Sequence, residues 1–182
     1  MENSTDGSVI SRAIGAAFLD INVYEEVEAD RTATSQAAMV VLAVAVANVI
    51  GSWGSGGAGM IGGVIAAFLG WFLWAGVTNF VGTRFMGGTA DWGELLRTLG
   101  FAQAPGVLAV IGIIPLVGWF AGLGIWIWTM VTGIVAIRQA LDFSTGKAVI
   151  TALISMVVVF AAMMAVGTVL GVGIGVTSAI AG

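Results

Sequence analysis

The sequence predicts an all-α polytopic membrane helix bundle, with five transmembrane helices preceded by a short amphipathic amino-terminal segment. Three observations predict it. Hydrophobic residues make up 59% of the 182 and charged ones 9%, too little polar material to cover a soluble domain of that size. Apolar runs of about 17 to 25 residues, the length that crosses hydrocarbon, recur along the chain. Every Lys and Arg falls in three polar regions, which five crossings place on one side of the bilayer. Backbone in lipid must satisfy its own polar groups, so runs of this length are helices.

Residues 1–34 form an acidic head, with Glu2, Asp6, Asp20, Glu25, Glu26, Glu28 and Asp30 set against Arg12 and Arg31. Its opening is polar and acidic rather than basic, so no cleaved signal peptide is expected and the first span directs insertion. Ile10, Ile14, Ala17, Phe18 and Ile21 share one helical stripe, with Arg12 and Asp20 off it. Residues 8–20 therefore read as an amphipathic helix lying on the membrane or on the spans. Asn22 and Glu25 have the spacing of a capping box, which predicts a second short helix from Val23 to about Asp30.

Spans are expected at about 35–52, 60–82, 101–117, 119–137 and 148–171, within a membrane domain covering 35–182. An uncharged glycine loop, 54–59, joins the first two. The polar loop from Thr83 to Leu99 contains Asp91 and Glu94, carboxylates placed to open a short interfacial helix, and Arg97 lies three residues after Glu94. Pro115 to Gly118 makes a tight reversal, with the proline ending one helix and the glycine permitting the turn. The polar loop from Arg138 to Lys147 leads to Ser144 or Thr145 as a cap for the last helix. From Ala148 the chain is apolar to its end; one helix over that length would measure about 52 Å, so the span is expected to leave the bilayer near Gly171 in a flexible or kinked tail. The positive-inside rule puts the charged side, and with it the amino terminus, in the cytosol and the carboxyl terminus opposite.

The chain has no Cys and no His, which removes disulfides, thiolate and imidazole chemistry and the commonest metal ligands. Neither a nucleophile paired with a base nor a ligand cluster is visible. The reading is therefore non-enzymatic, with no cofactor, metal or nucleic acid. Asp91 and Glu94 are the one interfacial carboxylate pair that a lipid enzyme could use. No charge falls inside an expected span, so Asn48, Asn79, Gln103, Ser155 and several threonines are the intramembrane polar groups. They either bond helix to helix or line a path. Small residues recur at four-residue spacing in Gly59 and Gly63, in Gly118 and Gly122, and in Gly167, Gly171 and Gly175. These ridges suit packing within the bundle or self-association. Among seven tryptophans, Trp53, Trp92 and Trp119 sit at interfacial positions, whereas Trp71, Trp74, Trp126 and Trp128 lie deeper, as filler or as a stacking site. Glu25, Glu26, Arg84, Asp91, Glu94, Arg97, Arg138, Asp142 and Lys147 share the charged side. They form either a docking face or a pairing network, in which Arg138 and Asp142 have the helical interval. The acidic head is either a solvated leader or a match for a basic partner.

Residues 100–105 read GFAQAP and follow ELLRTLG. This resembles the glycine-aromatic-x-x-x-proline motif of the YIP domain family of Ypt/Rab-interacting membrane proteins, carried here by Gly100, Phe101 and Pro105. The resemblance continues through Pro115, the tryptophan-rich fourth span and VAIRQALDFSTGKA at 135–148, and covers about residues 35–170. It implies a five-span bundle with a cytosolic amino terminus. Eukaryotic members act in vesicle traffic, binding prenylated Rab GTPases and one another. This chain lacks their aspartate-leucine-tyrosine-glycine-proline motif and is similar to prokaryotic-type members, for which the resemblance implies a membrane protein without a defined role. The expected function is association with the bilayer and with other membrane proteins or itself, as scaffold, organiser or accessory subunit. A small transporter or channel lined by Asn48, Asn79, Gln103 and Thr132 is the alternative.

Overall fold

The protein is seen here as a computed structural model that describes residues 7–52, 60–114 and 116–181, with side chains as far as Thr168. Trp53, the glycine loop through Gly59 and Pro115 lie outside the described residues, as does the packing around Gly171 and Gly175. Seven α-helices occur among those described: α1 (Val9–Ala17), α2 (Ile21–Ala29), α3 (Ala33–Gly51), α4 (Met60–Phe85), α5 (Trp92–Ala102), α6 (Val117–Ala140) and α7 (Thr145–Ala181). A 3-10 segment, Ala104–Ile113, continues from α5.

Five stretches are long and apolar enough to cross a membrane: Ala33–Gly51, Met60–Phe85, Trp92–Ile113, Val117–Ala140 and Thr145–Thr168. The chain is an all-α, multi-pass integral membrane protein. The outer helices carry large apolar side chains outward, with Ile61, Phe80, Phe120, Val157 and Phe160 among the exposed ones. Such faces are stable only in lipid.

The hub is α5. Every residue from Leu95 to Ala102 is buried, and the helix packs against α1, α2, α3, α4 and α6. Asp91 opens it with a capping box: its carboxylate accepts from the Glu94 amide, and the Glu94 carboxylate accepts from the Asp91 amide, both at 2.8 Å. The helix expected at Asp91 is thus not a separate interfacial piece. It runs to Ala102 and passes into the 3-10 segment, so the third apolar stretch begins at Trp92 rather than Phe101. Arg97, expected in the polar loop, consequently lies inside the third apolar stretch. Pro105 sits in the first turn of the 3-10 segment, where its missing N–H costs nothing.

Three smaller expectations change. Asp20, not Asn22, caps α2, accepting from the Asn22 amide at 3.0 Å. At the reversal before α6 the left-handed residue is Leu116, at φ 67°; Gly118 serves instead for close approach, since a Cβ there would meet the Gly112 backbone at 2.7 Å. Helix α7 begins at Thr145 and continues past Gly171 to Ala181, 37 residues in all.

Candidate functional site

The candidate site is the end of the bundle where the head meets the two polar loops. Helices α1 and α2 fold back on one another through Leu19, at φ 64°. The amides of Leu19 and Asp20 close the turn on the carbonyls of Ala16 and Gly15, at 3.1 and 2.9 Å, a Schellman arrangement that satisfies the end of α1. The apolar stripe of α1 faces outward, with Ile10, Ile14 and Phe18 exposed. Its other side carries Arg12 into the protein, where the side chain is buried.

Arg12 is the first clamp. Its Nη2 and Nε reach Glu26 Oε1 at 2.7 and 2.9 Å, and Nη1 reaches Asp30 Oδ2 at 2.8 Å and Gln36 Oε1 at 2.9 Å. One guanidinium thus joins α1, the end of α2 and the start of α3. Burial alone would lower the Arg12 pKa, but the bonds to Glu26 and Asp30 outweigh it and hold it above its usual value. Hydrogen bonds from Thr32 first, and from Arg12 next, hold Asp30 below the usual carboxylate range.

Arg97 is the second clamp, reaching from α5. Its Nε donates to the carbonyl oxygens of Val27 at 2.9 Å and Glu28 at 3.1 Å, and Nη2 also donates to Glu28 O. These are carbonyls of the last turn of α2, where a cation also complements the helix dipole. Glu94, the partner expected from sequence, is occupied by its capping box. Two further side chains seat the head on α6: the buried Tyr24 hydroxyl is shared between Ala16 O of α1 at 3.0 Å and Thr132 O of α6 at 3.3 Å, and the Trp128 indole of α6 donates to Ala17 O at 2.7 Å. Burial pushes the Tyr24 pKa up. From Val9 onward the acidic head is therefore packed against the spans.

The remaining predicted residues take different roles. Glu25 accepts from Gln139 at 3.4 Å. Asp142 accepts from the Thr89 hydroxyl at 3.2 Å, and Lys147 donates to Met86 O at 2.9 Å while standing over the Phe143 ring. The expected pairing of Arg138 with Asp142 does not form. Helix α6 ends at Ala140, Asp142 turns left-handed at φ 54°, and the Phe143 and Asp142 amides bond back to Arg138 O and Gln139 O, leaving Arg138 Nε on Gln139 Oε1. Arg84 and Asp91 are exposed. Glu28 is the electrostatic outlier: burial, then Glu94 and Asp142, push its pKa up to about 7, with Arg97 opposing and Glu25 adding. It was absent from the predicted face because its position in sequence gives no sign of the carboxylates that α5 and the second loop bring to it.

The GFAQAP residues form the joint between α5 and the 3-10 segment. A Cβ on Gly100 would lie 2.7 Å from Ala37 Cβ and 3.2 Å from the Trp71 ring, so glycine lets α5 press on α3 and α4 together. Phe101 is fully buried and Pro105 is buried. Of the four-spaced glycines, Gly63 faces Val49 and Gly118 faces Gly112, whereas Gly122 and Gly167 have open space before them. The polar path offered as the alternative does not assemble. Asn48 donates to Val44 O, Asn79 to Ala90 O and Thr132 to Ala102 O; Gln103 alone faces a cavity, shared with Trp71, Trp74 and Trp126.

The Yip1 domain matches residues 24–167, most of the chain and all five apolar stretches described. No curated protein and no solved structure matches it. The chain belongs to the Yip1 domain family.

Proposed function

We propose that this protein works by association within the membrane, as a scaffold, organiser or accessory subunit, and that its binding surface is the composite face of α1, α2 and the two polar loops. The residues from 35 onward act as one five-span domain and the head as its cap. The observation that carries this reading is the double arginine clamp: Arg12 and Arg97 spend their charges inside the protein. What remains outward, Glu25, Asp91 and Asp142 with half-buried Glu28 and Glu94, is a fixed acidic display interrupted by Arg31, Arg84 and Lys147. Such a display suits a partner with a basic surface. The same charges support a cytosolic position for this face and for the amino terminus, with the carboxyl terminus opposite, because Lys and Arg are retained on that side.

No bond-making step is assigned to these groups. Asp91 and Glu94, the pair a lipid enzyme would need, are committed to starting α5. The test is native mass in mild detergent together with partner recovery from native membranes. A stoichiometric complex that is lost in Glu25→Lys/Asp142→Lys, with the bundle still folded, is the expected result. A bare monomer with no co-purifying protein would sink the proposal.

A further inference from the structure

Most polar side chains within the apolar stretches bond to backbone: Asn48, Asn79, Thr83, Thr98, Thr132 and Thr168 each find a carbonyl. Five that find no partner occur along one tract. The hydroxyls of Thr78, Thr151 and Ser155 are fully buried without a partner, on the stretches of α4 and α7 that run on from Trp74 and flank Ala152. Trp74 and Ala152 in turn line a cavity of about 390 Å³ between α4, α6 and α7. Gln103 and Thr129 line it too, and no bond within the protein engages either side chain. Its other walls are apolar: Trp71, Trp74 and Trp126, with Met130, Met156 and Met163.

This cavity is built rather than incidental. Trp74 lies over Gly133 of α6, where any Cβ would come within 2.8 Å of the ring. Trp71 is pinned by an indole bond to Leu96 O at 3.0 Å. Gly70 leaves open space where a side chain would intrude. An amide with no partner at this depth costs free energy, on the order of 1–3 kcal/mol from protein substitutions, and a ligand oxygen removes that cost. No charged residue lines the walls, so the ligand is neutral; three indoles offer faces to a ring; and the volume is that of a small-molecule site.

We infer that this cavity binds a neutral, membrane-soluble, ring-bearing molecule whose hydrogen-bonding oxygen is held by Gln103 and Thr129. The site is separate from the head and its face. The test uses 4-decyloxybenzophenone, whose carbonyl is both the oxygen and the photoreactive group, with the full chain in lipid nanodiscs and labelled peptides mapped by mass. Saturable labelling confined to residues 66–74, Gln103, 126–130 and 152–163 is expected. Gln103→Leu should weaken it roughly tenfold, the scale of one lost hydrogen bond in a desolvated site. Gly70→Trp should abolish it, with Ala66→Phe as a second filling variant should the first not fold. Labelling that rises linearly with probe, spreads to Ile61 and Leu123 on the outer faces, or survives filling of the cavity would overturn the inference. So would equal displacement by tetradecane, which would make the cavity an acyl-chain recess only.

Discussion

Replacing Arg97 with methionine should release the head while leaving the spans folded. The side chain is 5% exposed, and methionine fills comparable space without a donor. Two carbonyls in the last turn of α2, Val27 O and Glu28 O, lose a charged donor, a loss of about 1.5–3 kcal/mol per bond in other proteins. Two effects reduce the sum. The variant no longer desolvates a guanidinium whose hydrogen bonds go to carbonyls rather than to a carboxylate, and Glu28, half-buried, turns its carbonyl to water once the head moves. A net loss of about 2–3 kcal/mol in docking remains, or roughly a 30- to 150-fold rise in the released population. Amide hydrogen exchange of the chain in nanodiscs reads this directly: α1 and α2 should lose protection by that factor, while α4 and α6 keep theirs. Arg97→Lys should fall between, because a compact ammonium serves fewer acceptors than the planar fork. Unchanged protection of α1 and α2 in the methionine variant would refute the clamp, and loss across every span would make Arg97 a core residue instead.

Four further outcomes follow from the same geometry. Because the docked state raises Glu28 to about 7, it holds a proton that the released head gives up; the Glu28 contribution to docking is therefore fully present below the ordinary carboxylate range and is lost as pH rises through 7, opposite in sign to that of Asp30, which is lost in acid, and Glu28→Gln should flatten the slope in α1–α2 exchange (corrected for its chemical pH dependence) as pH approaches 7. Tyr24→Phe removes the hydroxyl bonding Ala16 O and Thr132 O and should lower head protection by about 1–2 kcal/mol on the same measurement. Gly100→Val places a branched side chain against Ala37 and Trp71 and should destabilise the whole bundle by about 1–3 kcal/mol in a thermal or denaturant transition, with an unshifted midpoint counting against the close approach. Membrane-impermeant thiol labelling should reach Ser144→Cys and Leu116→Cys from opposite sides, and labelling from one side would overturn the proposed orientation.

Apolar length carries the spans, and that signal is strong enough to survive local errors. The boundaries of α3, α4 and α6 and the start of α7 differ from expectation by only a few residues, because charge or glycine marks them, whereas α7 runs ten residues past its expected end, from Gly171 to Ala181, because its glycines do not break it. The third stretch differs more, and Arg97 is the reason. Hydropathy treats any guanidinium as water-facing, so it extends the loop to Leu99 and starts the span at Phe101. The structure instead supplies Arg97 with two backbone carbonyls from α2, about 70 residues earlier in sequence, and no local pattern encodes that pairing. Arg12 shows the same limit. Its place off the apolar stripe of α1 was legible, but the stripe faces outward and Arg12 inward, since the groups that satisfy it lie on α2 and α3.

This separates two uses of one charge. Orientation is set while the chain inserts, when all six bases stand unpaired and each resists transfer; the folded protein then withdraws Arg12 and Arg97 into bonds with the head and α2. Counting bases therefore predicts an orientation while overstating the positive charge left on the finished surface. Neither arginine could be withdrawn if the head lay across the bilayer from the start of α5. The clamp and the shared side of the charged regions are thus one requirement, and moving either arginine's partners to the far side would cost both.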